Sequence, residues 1–153
     1  MPIFISKSEA DTHNFAKRLA GQLHSGQILA LVGDLGSGKT TFTKGLAKGF
    51  KIKQTIHSPT FVLMKIFQIP KAVIINHRSK ILNMVHIDAY RLQDETELID
   101  IGALDYLGQS GTLVVIEWAD RVKSLLKKFG KKVIWINFNY GKKLALRQIS
   151  IKP

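Results

Sequence analysis

Eight consecutive residues, Gly33-Asp34-Leu35-Gly36-Ser37-Gly38-Lys39-Thr40, fit the pattern G-x-x-x-x-G-K-[ST] throughout. The pattern suits a polyphosphate ligand. Gly33, Gly36 and Gly38 admit backbone conformations that strain other residues, so successive N–H groups can turn toward phosphate oxygens. A helix starting near Lys39 would add the positive end of its dipole. Lys39 would reach the β- and γ-phosphates, and the Thr40 hydroxyl would ligate Mg²⁺. The alternative is an ordinary glycine turn with an exposed lysine. A strand-like run before the loop and a helix-like run after it favour Mg-ATP binding.

Hydrolysis at such a loop needs a carboxylate near the metal and a group that orients water. Two acids end apolar, strand-like runs: Glu117 follows Leu113-Val114-Val115-Ile116, and Asp88 follows Met84-Val85-His86-Ile87. In open α/β sheets ligands bind beyond the carboxyl ends of the strands, so both can face the phosphates. Glu117 is the candidate metal group and Asp88 the candidate catalytic acid. Each could instead cap a turn. His86 either orients Asp88 or belongs to the core. Arg91 either reaches phosphate or pairs with the acids after it. Ser58-Pro59-Thr60-Phe61 fits either a nucleotide switch or a turn stiffened by proline before a strand.

These residues need elements to position them. Phe4-Ile5 opens a short strand. Ser6 and Glu9 have the spacing of a capping box, and Phe15, Ala16, Leu19 and Leu23 then share a helical face. Ile28 to Val32 reads as a strand buried on both faces. Lys39 to Lys48 reads as a helix with Phe42 and Leu46 inward and Gly49 as its stop. Phe61 to Ile69 and Met84 to Ile87 form a strand pair around an exposed basic excursion, 70–80. Asp94 and Glu97 open a short helix with Leu98 and Ile99, Thr112 to Ile116 is a buried strand, and Arg121 to Phe129 is helical. Val133 to Ile136 and Leu144 to Ile151 close the chain around a turn at Asn139-Tyr140-Gly141. Strands alternating with helices predict an α/β sandwich with a mixed sheet.

A length of 153 residues suits one domain, 1–153. No apolar run approaches a membrane span, no signal peptide is evident, and there is no cysteine for disulfides, thiolate metal sites or nucleophilic catalysis. A cytoplasmic location is expected. The net charge of +12 favours polyanions such as RNA. It also fits a general lysine and isoleucine bias, with 18 Lys, 5 Arg and 18 Ile. Between Ile81 and Asp120 eight acids face Arg91 alone, a net −7, whereas 22 bases and three acids elsewhere leave +19. That asymmetry suggests separate faces for different partners.

Taken in order, the motifs are Gly33 to Thr41, Ser58-Pro59-Thr60-Phe61, His86-Ile87-Asp88-Ala89-Tyr90-Arg91-Leu92, Glu97-Leu98 with Gly102, and Ile116-Glu117-Trp118-Ala119-Asp120-Arg121. The set closely resembles the TsaE (YjeE) family of ATPases of tRNA threonylcarbamoyladenosine biosynthesis, over nearly the whole chain. The resemblance implies a three-layer P-loop NTPase sandwich, with a mixed, mainly parallel sheet and a β-hairpin insertion. It implies slow ATP hydrolysis that supports TsaD and TsaB. Thr40 and Glu117 would hold Mg²⁺, Asp88 would be needed for activity beside Lys39 and Glu117, and Thr60 would behave as a switch. Ser37, Thr41 and Glu9 join the loop glycines as nucleotide-binding positions. The basic surface could contact tRNA.

Two features depart from the family pattern. The stretch between Phe61 and Asp88 is longer than usual, and the chain stops soon after its last strand. Other function classes remain. A small-molecule P-loop kinase usually carries an arginine-rich lid, whereas 120–132 is short and holds only Arg121. A GTPase would carry an Asn-Lys-x-Asp motif, which does not occur. An RNA-binding module with a vestigial loop would bind tRNA without regard to nucleotide.

Overall fold

A computed structural model of the chain describes residues 3–57, 63–76, 80–141 and 146–152. Its elements are β1 (Ile3–Ser6), α1 (Glu9–Leu19), β2 (Ile28–Gly33), α2 (Lys39–Gly49), β3 (Met64–Gln68), α3 (Lys71–Asn76), β4 (Asn83–Asp88), α4 (Glu95–Asp100), β5 (Thr112–Glu117), α5 (Lys123–Lys127), β6 (Val133–Tyr140) and β7 (Arg147–Lys152). The strands form one sheet in the order β1-β7-β6-β2-β5-β4-β3. β6, β2, β5 and β4 run parallel in the middle, and antiparallel pairs extend both edges.

Alternation along the strands builds two cores. Leu29 and Leu31 of β2 and Leu113 and Val115 of β5 pack with Ala16, Phe42 and Leu46 of α1 and α2. Ile28 and Ala30, with Val114 and Ile116, pack instead with Leu98, Val122 and Leu125. Both faces are covered, so these strands are continuous apolar runs. This is the expected three-layer α/β sandwich with its mixed sheet.

Several elements differ from the sequence reading. Ser8, not Ser6, caps α1: its side chain accepts from the Asp11 N–H, while the Asp11 carboxylate accepts from the Lys7 N–H. Ser6 is buried and shares a hydrogen bond with the Thr12 hydroxyl at 2.7 Å. The β3–β4 hairpin is present, but its connection contains α3, whose Val73 and Ile74 pack on the core. The proposed helix 121–129 begins as a 3-10 turn, Ala119–Val122, before α5.

Gly49 is the last residue of α2, at the stop expected from the sequence, and it also makes a close contact. A Cβ there would stand 2.6 Å from Ala20 Cβ, and one at Gly45 would stand 2.4 Å from His13 O. Gly45 and Gly49, one turn apart, let α2 press against Ala16 of α1 and against Ala20 just after it. Ordinarily Gly→Ala in a helix stabilises by about 1 kcal/mol. We expect Gly45→Ala to destabilise by about 1–2 kcal/mol, as overpacking does. Gly21→Ala, where a Cβ meets nothing within 4 Å, should be neutral or slightly stabilising. Urea unfolding midpoints check this; equal stability of the two variants would contradict a tight α1–α2 seam.

Candidate nucleotide-binding site

β2 delivers the chain to the glycine loop at the carboxyl end of the parallel strands. Gly33 is in register with Phe138 of β6, and a Cβ there would sit 2.5 Å from the Phe138 carbonyl oxygen. Only glycine allows that approach. Gly38 has φ 103° and forms the N-cap of α2. The Lys39 ammonium is folded back onto the loop, donating to the carbonyls of Gly33 at 2.6 Å and Asp34 at 2.8 Å. It also lies 3.9 Å from the centre of a Trp118 ring. Burial pushes the Lys39 pKa down, against the opposing pull of Glu117, Asp88, Asp120 and Asp34. A polyphosphate would add to that pull and favour the charged ammonium.

Beside the loop, Asp88 ends β4 and Glu117 ends β5, and the two are register partners on adjacent parallel strands. Glu117 is 2% exposed. Its Oε2 accepts from the Thr40 hydroxyl at 2.8 Å, and its Oε1 lies 2.8 Å from His86 Nε2 and 3.3 Å from the Thr43 hydroxyl. His86 is fully buried, and its Nδ1 has no hydrogen-bond partner among the described residues. The contact assigns His86 to Glu117, not to Asp88. An Asp88 oxygen accepts from the Tyr90 N–H at 3.0 Å.

A cavity of about 490 Å³ opens over these groups. It is lined by Gly36, Gly38, Lys39, Thr40 and Thr41 of the loop and by Asp88 and Glu117. Glu9 stands on its rim at the start of α1. Ser37, 1% exposed, is packed within the loop, and Gly33 lies behind it. The Ser58-Pro59-Thr60-Phe61 segment, Thr60 included, lies outside the described residues.

Three residues at the site had escaped sequence reasoning. Trp118, directly after Glu117, has φ 59°, a left-handed conformation uncommon for a bulky side chain. Its ring packs 4.9 Å from that of Tyr90. Arg147 of β7 lines the cavity and donates to Gly36 O at 3.3 Å, and Tyr140 of β6 donates to Leu35 O at 2.6 Å. The signal for Trp118 was its position after a strand-end acid. The sequence reads Tyr140 as part of the last turn and Arg147 as part of the strand after it, whereas Tyr140 ends β6 and Arg147 opens β7. Arg121, by contrast, donates to Leu92 O and packs over the Tyr90 ring.

Thr40 and Glu117 offer two hard oxygens 2.8 Å apart, a pair that would suit Mg²⁺, directly or through water. Among the described residues no cluster of three His, Cys, Asp or Glu side chains could hold a metal. No helix among them is long and apolar enough to cross a membrane.

Comparison with known proteins bears on this geometry. The sequence profile "Threonylcarbamoyl adenosine biosynthesis protein TsaE" matches residues 6–149. The chain is 38% identical over 116 residues to the tRNA threonylcarbamoyladenosine biosynthesis protein TsaE of Bacillus subtilis, a match covering 76% of this chain and 65% of that one. The match thus spans just under two thirds of that relative's length. The TsaE of Rickettsia prowazekii is 39% identical over 120 residues, covering 78% and 75% of the two chains. That of Treponema pallidum is 36% identical over 125 residues, covering 82% and 84%. The crystal structure of Bacillus subtilis YdiB superposes with a TM-score of 0.69 at 25% identity, over 98% of this chain and 83% of that one. From its profile match and its relatives, the chain belongs to the TsaE family of tRNA threonylcarbamoyladenosine biosynthesis.

Proposed function

We propose that the chain acts as a single ATPase domain, residues 1–153, that binds Mg-ATP at the glycine loop and serves threonylcarbamoyl modification of adenosine in tRNA. Its partners are TsaD and TsaB, its location is the cytoplasm, and its basic surface is available to tRNA. One observation carries the reading: the Thr40 hydroxyl and the Glu117 carboxylate, from segments 77 residues apart, meet at 2.8 Å beside Lys39 and Asp88.

The division of labour follows from the chemistry of each group. The loop amides and Lys39 bind the phosphates, and Lys39 leaves its backbone carbonyls to neutralise the β- and γ-oxygens. Thr40 and Glu117 hold Mg²⁺, directly or through water, while His86 and Thr43 keep the carboxylate oriented. When bound, Mg²⁺ offsets negative charge on the transferring phosphoryl group. Asp88 orients the attacking water. Glu9 and Thr41 contact the nucleotide, and Thr60 senses the γ-phosphate. Arg121 is engaged with Leu92 and Tyr90, and Arg147 with Gly36 and the Tyr140 ring. Neither Arg121 nor Arg147 is therefore assigned as an arginine finger, and hydrolysis is slow until TsaB–TsaD engages the site. Measuring ATP hydrolysis with and without TsaB–TsaD tests this. A fast isolated enzyme indifferent to those partners would overturn it.

Lys39→Ala should weaken ATP binding or abolish hydrolysis without loss of fold, as read by nucleotide titration and hydrolysis assays beside circular dichroism. A variant hydrolysing ATP at the normal rate would remove the loop from the mechanism.

The two carboxylates should separate experimentally. Glu117→Ala should lower the Mg²⁺ dependence of nucleotide binding, because a hard cation loses an oxygen or the group holding its water. Asp88→Asn should still bind Mg-ATP while hydrolysis falls ~100-fold, equivalent to ~2.7 kcal/mol of transition-state stabilisation. Metal-dependent binding and single-turnover hydrolysis decide between them. Loss of Mg²⁺ affinity in Asp88→Asn, with Glu117→Ala unaffected, would reverse the two roles.

A further inference from the structure

Four consecutive carbonyls of the phosphate loop each accept a hydrogen bond from a side chain. Gly33 O and Asp34 O are taken by Lys39 Nζ, Leu35 O by the Tyr140 hydroxyl, and Gly36 O by Arg147 Nη2. Peptide groups are planar and trans, so a carbonyl and the following N–H point to opposite sides. Fixing Leu35 O against Tyr140 therefore turns the Gly36 N–H the other way, and Gly36 lines the cavity.

The sheet explains how Tyr140 reaches the loop. β6 runs parallel to β2 with Phe138 opposite Gly33, so two further residues carry β6 past the point where β2 gives way to the loop. Tyr140 is then the antiparallel partner of Arg147, whose guanidinium lies 4.5 Å from the centre of the tyrosine ring. The register thus delivers both donors together, and each steadies the other.

Their weight changes when nucleotide binds. Lys39 cannot serve the phosphates and keep both of its backbone acceptors. Once it turns to the phosphates, Tyr140 and Arg147 are, among the described residues, the side-chain ties that remain on the Leu35 and Gly36 carbonyls. We propose that Tyr140, seated by Arg147, is a positioning residue that holds the phosphate loop in its nucleotide-ready shape. The inference rests on the reading of the loop as the nucleotide site.

The decisive variant is Tyr140→Phe, which keeps the ring and removes only the hydroxyl. The side chain is 44% exposed, so the core is untouched. Titration of the full chain with ADP and with ATP should show both Kd values raised roughly three- to tenfold, the range of one net hydrogen bond. At saturating ATP, kcat should stay within about twofold of the unmodified protein. Amide exchange in the nucleotide-free variant should quicken at residues 35–38 and not across the core strands. Arg147→Gln should shift the affinities the same way. Unchanged Kd values in Tyr140→Phe, a fall in kcat at constant Kd, or faster exchange across the whole sheet would each overturn the assignment. If the unmodified chain bound neither nucleotide, the reading of the site would itself fail. Normal binding by the unmodified chain with equal binding by Tyr140→Phe would remove only the role of the tyrosine.

Discussion

A carboxylate withdrawn from water at the end of a central strand must find donors, because an unpaired buried charge is heavily penalised. Glu117 is that carboxylate, and the rest of the site is arranged around its donors. Thr40 and Thr43 come from the first turns of α2, and His86 comes from the neighbouring strand β4. Satisfying one side chain therefore fixes the start of α2 against β5 and β4. The same contacts fix the exit of the glycine loop and bring Lys39 into the field of four acids. Thr43 illustrates how tightly this is drawn: its hydroxyl is also 3.1 Å from Lys39 O, so one proton serves two acceptors.

Much of this could be read from the residues. The unbroken apolar runs of β2 and β5 read as buried strands, and acids directly after such runs were expected at the carboxyl edge. The loop pattern itself specifies its backbone. What escaped was everything that depends on register or close packing. Ser6 and Ser8 both have acids at capping distance, and the backbone selects Ser8 while Ser6 turns inward to Thr12. Gly49 was legible as the end of α2, but its close packing on Lys17 and Ala20 was not. Tyr140 and Arg147 meet the loop only because β6 and β7 pair in one particular register, and no local signal encodes that distance.

Charge along the chain behaves differently once folded. The acidic stretch 81–120 does not form a single exposed face. Asp88 and Glu117 turn into the site, and Glu95 of α4 accepts a hydrogen bond from the Leu125 N–H of the lysine-bearing helix α5. Asp94 is spent as the N-cap of α4, where the Thr96 hydroxyl and N–H hold its carboxyl below the usual range. Part of the segregation seen in one dimension is thus consumed by local structure.

The pairing of β7 with β6 also has a consequence in time. Leu35 and Gly36 precede the side chains that anchor their carbonyls by 105 and 111 residues. On a ribosome adding about 5–20 residues per second, the glycine loop emerges on the order of 5–20 s before its anchors exist. Contacts of such sequence separation form late, because loop-closure entropy must first be overcome. A nascent chain can thus pair β2 with β5 before the phosphate cradle is fully tethered. Full nucleotide affinity would arise only as the β6–β7 hairpin docks, making ligand capture a report on the docking of those two strands.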